Sequence, residues 1–402
     1  MEALAEEGVV EQESASIRPG LLPRVPAVPA DGVVVHIGVH KTGTTALQAA
    51  LADARSDLSA HGVRYPGRRQ AHHAAAIAVI GKTWGWTNNG GQRKDLQNFD
   101  RLARQIAAHS GRVIVSSEHW CESPDEVAEQ TVAAFGPDRV HVVVTLRNIG
   151  NLLSSSYQQY LKYGLRARYE PWLENLFAKD DGSRMSPSFW LRNHHDVVIE
   201  RWARAVGPDR VTAIILENVD RDAMFVAFSQ LLGVPEQVLT SRMDLTSNRS
   251  MTAQEAELLR RVNVGVKKEM NWAQYEQLVR YGVAKTIVEG REPLPDEPRI
   301  VTPDWALDAA AERGIAAAQR IAGLGVNIVG DLQALAVRIP SARPIDPDAF
   351  SQLPMDVAVR AIETLVLKAR ELPAEKELAG PSLIQRLRST AARARRSPRR
   401  AG

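Results

Sequence analysis

Four β-branched runs punctuate the chain, at residues 33–37, 112–115, 140–146 and 211–216. Each is apolar on consecutive positions, the pattern of a strand covered on both faces. Segments of helical pattern lie between them, at 44–61, 96–109, 124–135, 152–163 and 189–206. Strands alternating with helices predict a parallel sheet with helices on both faces. Such sheets bind ligands at the carboxyl ends of their strands. The residues that follow each run therefore carry the first functional reading: His40 and Lys41, then Ser116 to His119, then Arg147 to Asn151, then Glu217.

From about 302 to 372 the pattern is wholly helical, rich in Ala, Leu and Arg and broken at Pro340, Pro344 and Pro347. Residues 1–30 lack periodicity and end in a Pro-rich stretch. The expected organisation is a flexible lead-in over 1–30, an α/β body over 31–300, a helical appendage over 301–375 and a disordered basic tail over 376–402. The expected fold class is α/β: a P-loop-like parallel sheet flanked by helices, with a C-terminal helical appendage.

An apolar fraction of 44% and a charged fraction of 24% over 402 residues are those of a soluble globular chain. Cys121 is the single cysteine, which excludes an intrachain disulfide and a Cys-rich zinc site, and no other metal-ligand set stands out. There is no apolar run of about 18 residues, the length a membrane span needs. Five glutamates precede the first arginine, Arg18, the reverse of a secretory signal. The expected location is cytoplasmic. Charge is uneven: from Arg386 onward there are seven arginines and no acid, and taking them from the formal +3 leaves the rest at about −4. That tail suits an anionic membrane face or another polyanion. It has no aromatic residue for base stacking, so no specific nucleic acid is expected.

The first run ends in His36-Ile37-Gly38-Val39-His40-Lys41-Thr42-Gly43-Thr44-Thr45 and opens into a helical pattern. A strand, a tight loop and a helix start aim backbone N–H groups and a positive dipole end at one point, which binds phosphate. Lys41 adds a charge there, and the hydroxyls of Thr42, Thr44 and Thr45 offer further donors. This is not a Walker A loop, because Lys41 precedes Gly43 instead of following the last glycine. Two strands on, Arg147 is followed eight positions later by Ser155, a guanidinium and a hydroxyl that can close on a second phosphate. Ser116-Ser117-Glu118-His119 puts a carboxylate and an imidazole at a strand end, each suited to take a proton from a hydroxyl.

The loop His40 to Thr45 resembles the 5′-phosphosulfate loop of sulfotransferases that use 3′-phosphoadenosine 5′-phosphosulfate (PAPS), most of all the bacterial carbohydrate-type members. The resemblance spans roughly residues 33–270. It implies PAPS as donor, no required metal, and a hydroxyl of a carbohydrate or glycolipid as acceptor. It also implies a 5′ site made of His40, Lys41, Thr42, Gly43, Thr44 and Thr45, and a 3′-phosphate site at Arg147 and Ser155. Arg147, Ser155 and Tyr157 match the family's Arg-x-Pro-x-x-Arg-x-x-Ser-x-Tyr form, while Ile149 and Leu152 depart from it. The Ser-Ser-Glu of residues 116–118 resembles the branch whose base is glutamate, so Glu118 is the expected base with His119 as rival and Lys41 assisting. The pair His72-His73 resembles one that bacterial relatives place near the acceptor. Arg249 is a further candidate for the nucleotide, whereas Thr252 and Glu255 read as a capping box and Trp202 as core. Two other activities share these features: a P-loop-type small-molecule kinase, and a non-catalytic nucleotide- or polyanion-binding protein.

Overall fold

The computed structural model describes residues 25–178, 183, 185–216, 222–244, 249–341 and 353–371. Six parallel strands form its main sheet: β1 (Val33–His36), β2 (Val63–Arg64), β3 (Arg112–Ser116), β4 (Val140–Leu146), β5 (Val211–Ile215) and β6 (Asn327–Val329), in the order β2-β3-β1-β4-β5-β6. The register sets Val35 beside Val115 and Val142, so the strand ends of β1, β3 and β4 lie side by side.

Side-chain alternation explains the continuous apolar runs. Val34, Ile114, Val143 and Ile214 face one way, against α1 (Thr44–Asp53) through Leu47 and Leu51. Val35, Val115, Val142 and Val144 face the other way, where Trp202 is fully buried as expected. Helix α2 (His73–Ile80) packs on the Trp202 face through Ala75, Ala76 and Val79, and α3 (Ile149–Leu161) joins a separate cluster through Leu153 and Tyr157. Residues 195–206 form α4 (His195–Val206), which carries Trp202; Ala223–Leu232 is α5 and supplies Phe225 and Phe228 to the α1 face.

Several expectations change. The helical pattern of 44–61 divides at Ala54, with a second short helix at Arg55–Ala60. Strand β2 and a ladder of Thr83–Trp84 with Gln92–Arg93 are two residues long on each strand, too short to show a periodicity. The stretch 302–372 is not wholly helical. Asn327–Val329 pairs with β5 as the sheet's edge strand, and α6 (Asp304–Ala322) adds Ile321 to the core on the Trp202 face. Burial grows along this short strand: Asn327 is exposed, Ile328 packs against the Trp202 side and Val329 is buried on the α1 side. Asn148 seals this join, its side-chain amide donating to the carbonyls of Ala334, Leu335 and Val337. Residues 321–337 thus join the sheet layer, while Ala306 and Ala310 of α6 pack in the cluster of Leu153 and Trp172. The segment after it is α7 (Met355–Ala369), which packs through Val357 and Ala361 on Val283 and Ile287. At the other end, Val25 and Val28 are buried and Val28 N donates to Leu231 O at 2.9 Å, so 25–30 is packed, not a free lead-in. Residues 1–24 and the arginine tail lie outside the described residues. Among the described residues no helix is long and apolar enough to cross a membrane.

Candidate active site

Beyond β1 the chain turns on Gly38 (φ 88°) and enters a loop in which Lys41 has φ 68°. Lys41 is the single non-glycine residue with positive φ among the described residues. A long side chain held there is strained, and such strain persists where surrounding bonds over-determine the loop. Two threonines do so: Thr42 Oγ1 donates to Val39 O at 2.6 Å, and Thr44 Oγ1 donates to the same carbonyl at 3.2 Å. Their protons are spent inward, which corrects the expectation that all three hydroxyls face a ligand; Thr45 is the exposed one. Meanwhile the backbone N–H groups of residues 40–45 meet no acceptor among the described residues. Six successive N–H groups without a protein acceptor at the start of α1 are the donor set that an anion cradle requires.

The floor of the cradle is a directional hydrogen-bond chain. Because Thr42 gives its proton to Val39, it accepts from Thr145 Oγ1 at 2.7 Å. Thr145 then accepts from His36 Nε2 at 3.2 Å, and His36 Nδ1 accepts from Ser116 Oγ at 2.8 Å. Ser116 Oγ in turn accepts from Gln48 Nε2 at 3.1 Å. Only a neutral His36 protonated on Nε2 satisfies every link. Burial, opposed weakly by Glu118, pushes its pKa down to about 4, in agreement.

Glu118 stands against this loop. A Cβ on Gly38 would lie 2.7 Å from Glu118 Cβ and 2.9 Å from its Cα. Glu118 Oε2 accepts from Gln48 Nε2 at 3.2 Å and lies 3.6 Å from His73 Nδ1. Burial favours its protonated form, but His73, His40 and His119 outweigh that and hold the carboxyl well below the usual carboxylate range. Glu118 is therefore ionised at neutral pH, and a carboxyl held this low is a weak base in the free protein. Gly38→Ala should force the loop and Glu118 apart. With the added cost of φ 88° for a side chain, a stability loss of about 2–3 kcal/mol is expected, read from the urea midpoint.

Glu118 and His119 were rivals for the base, and strand alternation would turn only one of them toward the site. The strand stops at Ser116, and both lie in a 3-10 turn, Glu118–Glu122, so both reach the same site. The His119 ring packs edge-on against His40 and His73, at 5.2 Å each, and against Trp84 at 6.1 Å.

The residue that sequence reasoning missed is Glu122. Its side chain is 4% exposed and receives Arg192 Nε at 2.8 Å, His40 Nε2 at 3.2 Å and the ammonium of Lys82, with His119 Nδ1 at 3.6 Å. Burial favours the acid form, yet Arg192, His119, His40 and Lys82 together hold the carboxyl far below its ordinary range. Its spacing of four from Glu118 was a signal; nothing in the sequence marked Arg192, 70 residues away. His40, His119 and Glu122 have ligand atoms within 4.8 Å of one another. Two cations already sit on the carboxylate, so a metal ion there would meet repulsion.

A narrow cleft opens beside the loop, lined by His40, Lys41, Ser156, Gln159, Tyr160 and Arg192. Lys41 Nζ donates to Gln159 Oε1 at 3.2 Å. Burial first, then Lys162 and Arg192 against the pull of Glu118, press the Lys41 pKa down to about 8.

Other expected residues lie elsewhere. His72 is buried, with Nε2 to Pro66 O at 3.0 Å and Nδ1 accepting from Ser116 N at 3.1 Å, so it ties backbones and His73 alone faces the site. Arg147 directly follows β4, and burial lowers its pKa, but neither it nor Ser155 lines the Lys41 cleft. Ser155 Oγ donates to Leu152 O at 3.0 Å within its own helix, and Tyr157 OH to Ala167 O at 3.0 Å. It is Ser156 that faces the cleft. Arg249 is spent on Glu255, at 2.7 and 2.9 Å, and on Ile287 O at 2.6 Å. Thr252 and Glu255 form the capping box. Glu217 lies outside the described residues.

No family model matches the chain, and no curated protein does. Among solved structures it is similar to the crystal structure of a sulfotransferase from Alicyclobacillus acidocaldarius, with a TM-score of 0.39 and 16% identity, covering 60% of this chain and 98% of that one.

Proposed function

We propose that this protein is a sulfotransferase that moves a sulfuryl group from PAPS to a hydroxyl of a carbohydrate or glycolipid acceptor. The observation that carries this reading is the contact between the two halves of the chemistry: an anion cradle of six free N–H groups with Lys41, and an ionised carboxylate, Glu118, packed against Gly38 of the same loop. In this mechanism the cradle and Lys41 hold the 5′-phosphosulfate. Glu118 takes the proton of the acceptor hydroxyl as its oxygen bonds to sulfur. The bond from sulfur to the bridging oxygen breaks, and 3′-phosphoadenosine 5′-phosphate leaves with its new charge met by the N–H groups and Lys41. The arriving sulfate also places negative charge beside Glu118, which strengthens it as a base. The acceptor is assigned to the side of Glu118 where His73 and His119 lie. The second anionic end of the nucleotide is assigned to Arg147, with Ser155 or its neighbour Ser156. The chemistry requires no metal.

Calorimetry with 3′-phosphoadenosine 5′-phosphate against Mg·ATP tests the reading. Binding of the first at least about tenfold tighter is expected; preference for Mg·ATP would establish a kinase instead. Lys41→Ala should weaken the nucleotide about 10- to 100-fold, the worth of one charge-assisted hydrogen bond. With the Lys41 pKa near 8, the lysine is charged below that pH and neutral above it, so affinity should fall as pH rises past about 8.

A further inference from the structure

The cleft beside Lys41 holds a buried hydrogen-bond acceptor that the chemistry above leaves unused. Asn193 ends the short helix Phe189–Asn193, is 4% exposed and lines the cleft. Its Nδ2 donates to Phe189 O at 2.8 Å, which fixes the amide: the nitrogen is engaged by the helix and the oxygen is left over. Oδ1 has no hydrogen-bond partner among the described residues. A buried oxygen in that state costs about 1–3 kcal/mol, and natural folds keep few such groups. The neighbouring residue offers the complement. Arg192 gives Nε to Glu122 at 2.8 Å, and neither of its Nη atoms has a hydrogen-bond partner among the described residues.

A lone acceptor oxygen beside an open guanidinium selects the ligand group. A phosphate or sulfate dianion brings acceptors only and would leave Oδ1 facing an anion. An ammonium would be repelled by Arg192 and Lys41. A hydroxyl gives one proton and accepts another, so it satisfies both residues. Size agrees: the cleft encloses about 10 Å³, room for one water-sized group. His40 also lines the cleft, and its ring meets that of His119 at 5.2 Å, so the cleft adjoins the side assigned to the acceptor. We propose that Asn193 Oδ1 and Arg192 bind a second, non-reacting hydroxyl of the acceptor, which makes the substrate a polyhydroxylated ring such as a sugar and not a lone alcohol or phenol. The inference rests on the sulfotransferase reading and narrows it: Asn193 becomes a residue that determines specificity.

The test measures transfer from radiolabelled PAPS by the full 402-residue chain. The probes are methyl glucoside, methyl galactoside and methyl mannoside, their singly deoxygenated analogues, and cyclohexanol and phenol as hydroxyls without neighbours. Transfer to at least one glycoside is expected, and removal of one particular non-reacting hydroxyl should lower kcat/KM about 100-fold, because it leaves buried polar groups bare. Asn193→Leu, close to asparagine in shape, should lower kcat/KM for the intact glycoside about tenfold or more and leave the deoxy analogue within about threefold. Its affinity for 3′-phosphoadenosine 5′-phosphate should stay within about threefold of the wild type, which shows the cradle intact. The deoxy series on the wild type needs no variant to fold. Transfer to no glycoside, with 3′-phosphoadenosine 5′-phosphate still bound, would overturn the inference and leave the sulfotransferase reading standing. So would a wild type indifferent to every non-reacting hydroxyl, or an Asn193→Leu that weakens intact and deoxy glycosides alike, the mark of a structural amide. A chain that does not bind 3′-phosphoadenosine 5′-phosphate at all removes the sulfotransferase reading and this inference together.

Discussion

Glu118→Gln should lower turnover by roughly 10²–10⁴-fold, the range that a positioned general base contributes, while 3′-phosphoadenosine 5′-phosphate affinity stays within about threefold. The amide keeps the shape against Gly38 and an oxygen for Gln48 Nε2, so the cradle should keep its form. What it loses is the acceptor site for the proton. His119→Ala is the matching control: if it costs more turnover than Glu118→Gln, the base is the imidazole. A non-catalytic nucleotide binder would show no turnover in any form of the protein, the wild type included. The acid side of the kcat/KM profile gives an independent check. It reports the free enzyme, where the histidines around Glu118 hold it ionised, so activity should persist below the pH at which an ordinary glutamate, with pKa about 4.3, protonates. The variant should also shift nucleotide binding. Glu118 supports the charged form of Lys41, so in Glu118→Gln the loss of affinity with rising pH should begin at lower pH than in the wild type.

The elements with long buried faces were legible because burial on both sides leaves a continuous apolar run, as in β4, whose bounds match the run at 140–146. The turn around Lys41 was legible because Gly38 and Gly43 after an apolar run mark a tight loop before a helix. Edge strand β6 was not: three residues of which only Val329 is buried, flanked by Gly325 and Gly330, look like a gap in a helical region. The site residues divide the same way. Glu118 and His73 were readable from their place beside a strand end or in a loop near it. Thr42 and Thr44 were assigned outward by analogy with hydroxyls that bind phosphate, whereas Val39 O captures both. Glu122, Lys82 and Arg192 come from three distant segments, and a partnership set by tertiary packing leaves no local pattern to read. Ser155 against Ser156 is a matter of 100° around a helix, finer than a strand-end argument resolves.

Glu122→Ala should destabilise the protein by about 3–5 kcal/mol, because it leaves a buried arginine without its counter-ion. Arg192 bears the loss: its side chain is 14% exposed and cannot swing to water, whereas Lys82, at 32%, can. Glu122→Gln keeps an oxygen for Arg192 Nε but no charge, and should cost about 1–3 kcal/mol. Urea unfolding separates the two, and Arg192→Met on the Glu122→Ala background should recover part of the stability by removing the stranded cation. The pH dependence has a definite sign. Glu122 is held far below its unfolded pKa, so its contribution is complete above about pH 4.3 and fades as the pH drops toward the folded value. The stability gap between wild type and Glu122→Gln should therefore narrow in acid and stay constant from pH 6 to 8. Nucleotide binding should change as well. Arg192 shares the cleft with Lys41 and already disfavours its charge; without Glu122 to absorb the field of Arg192, Lys41 should lose its proton at lower pH. A purely structural Glu122 would change the urea midpoint and leave that binding profile where it was.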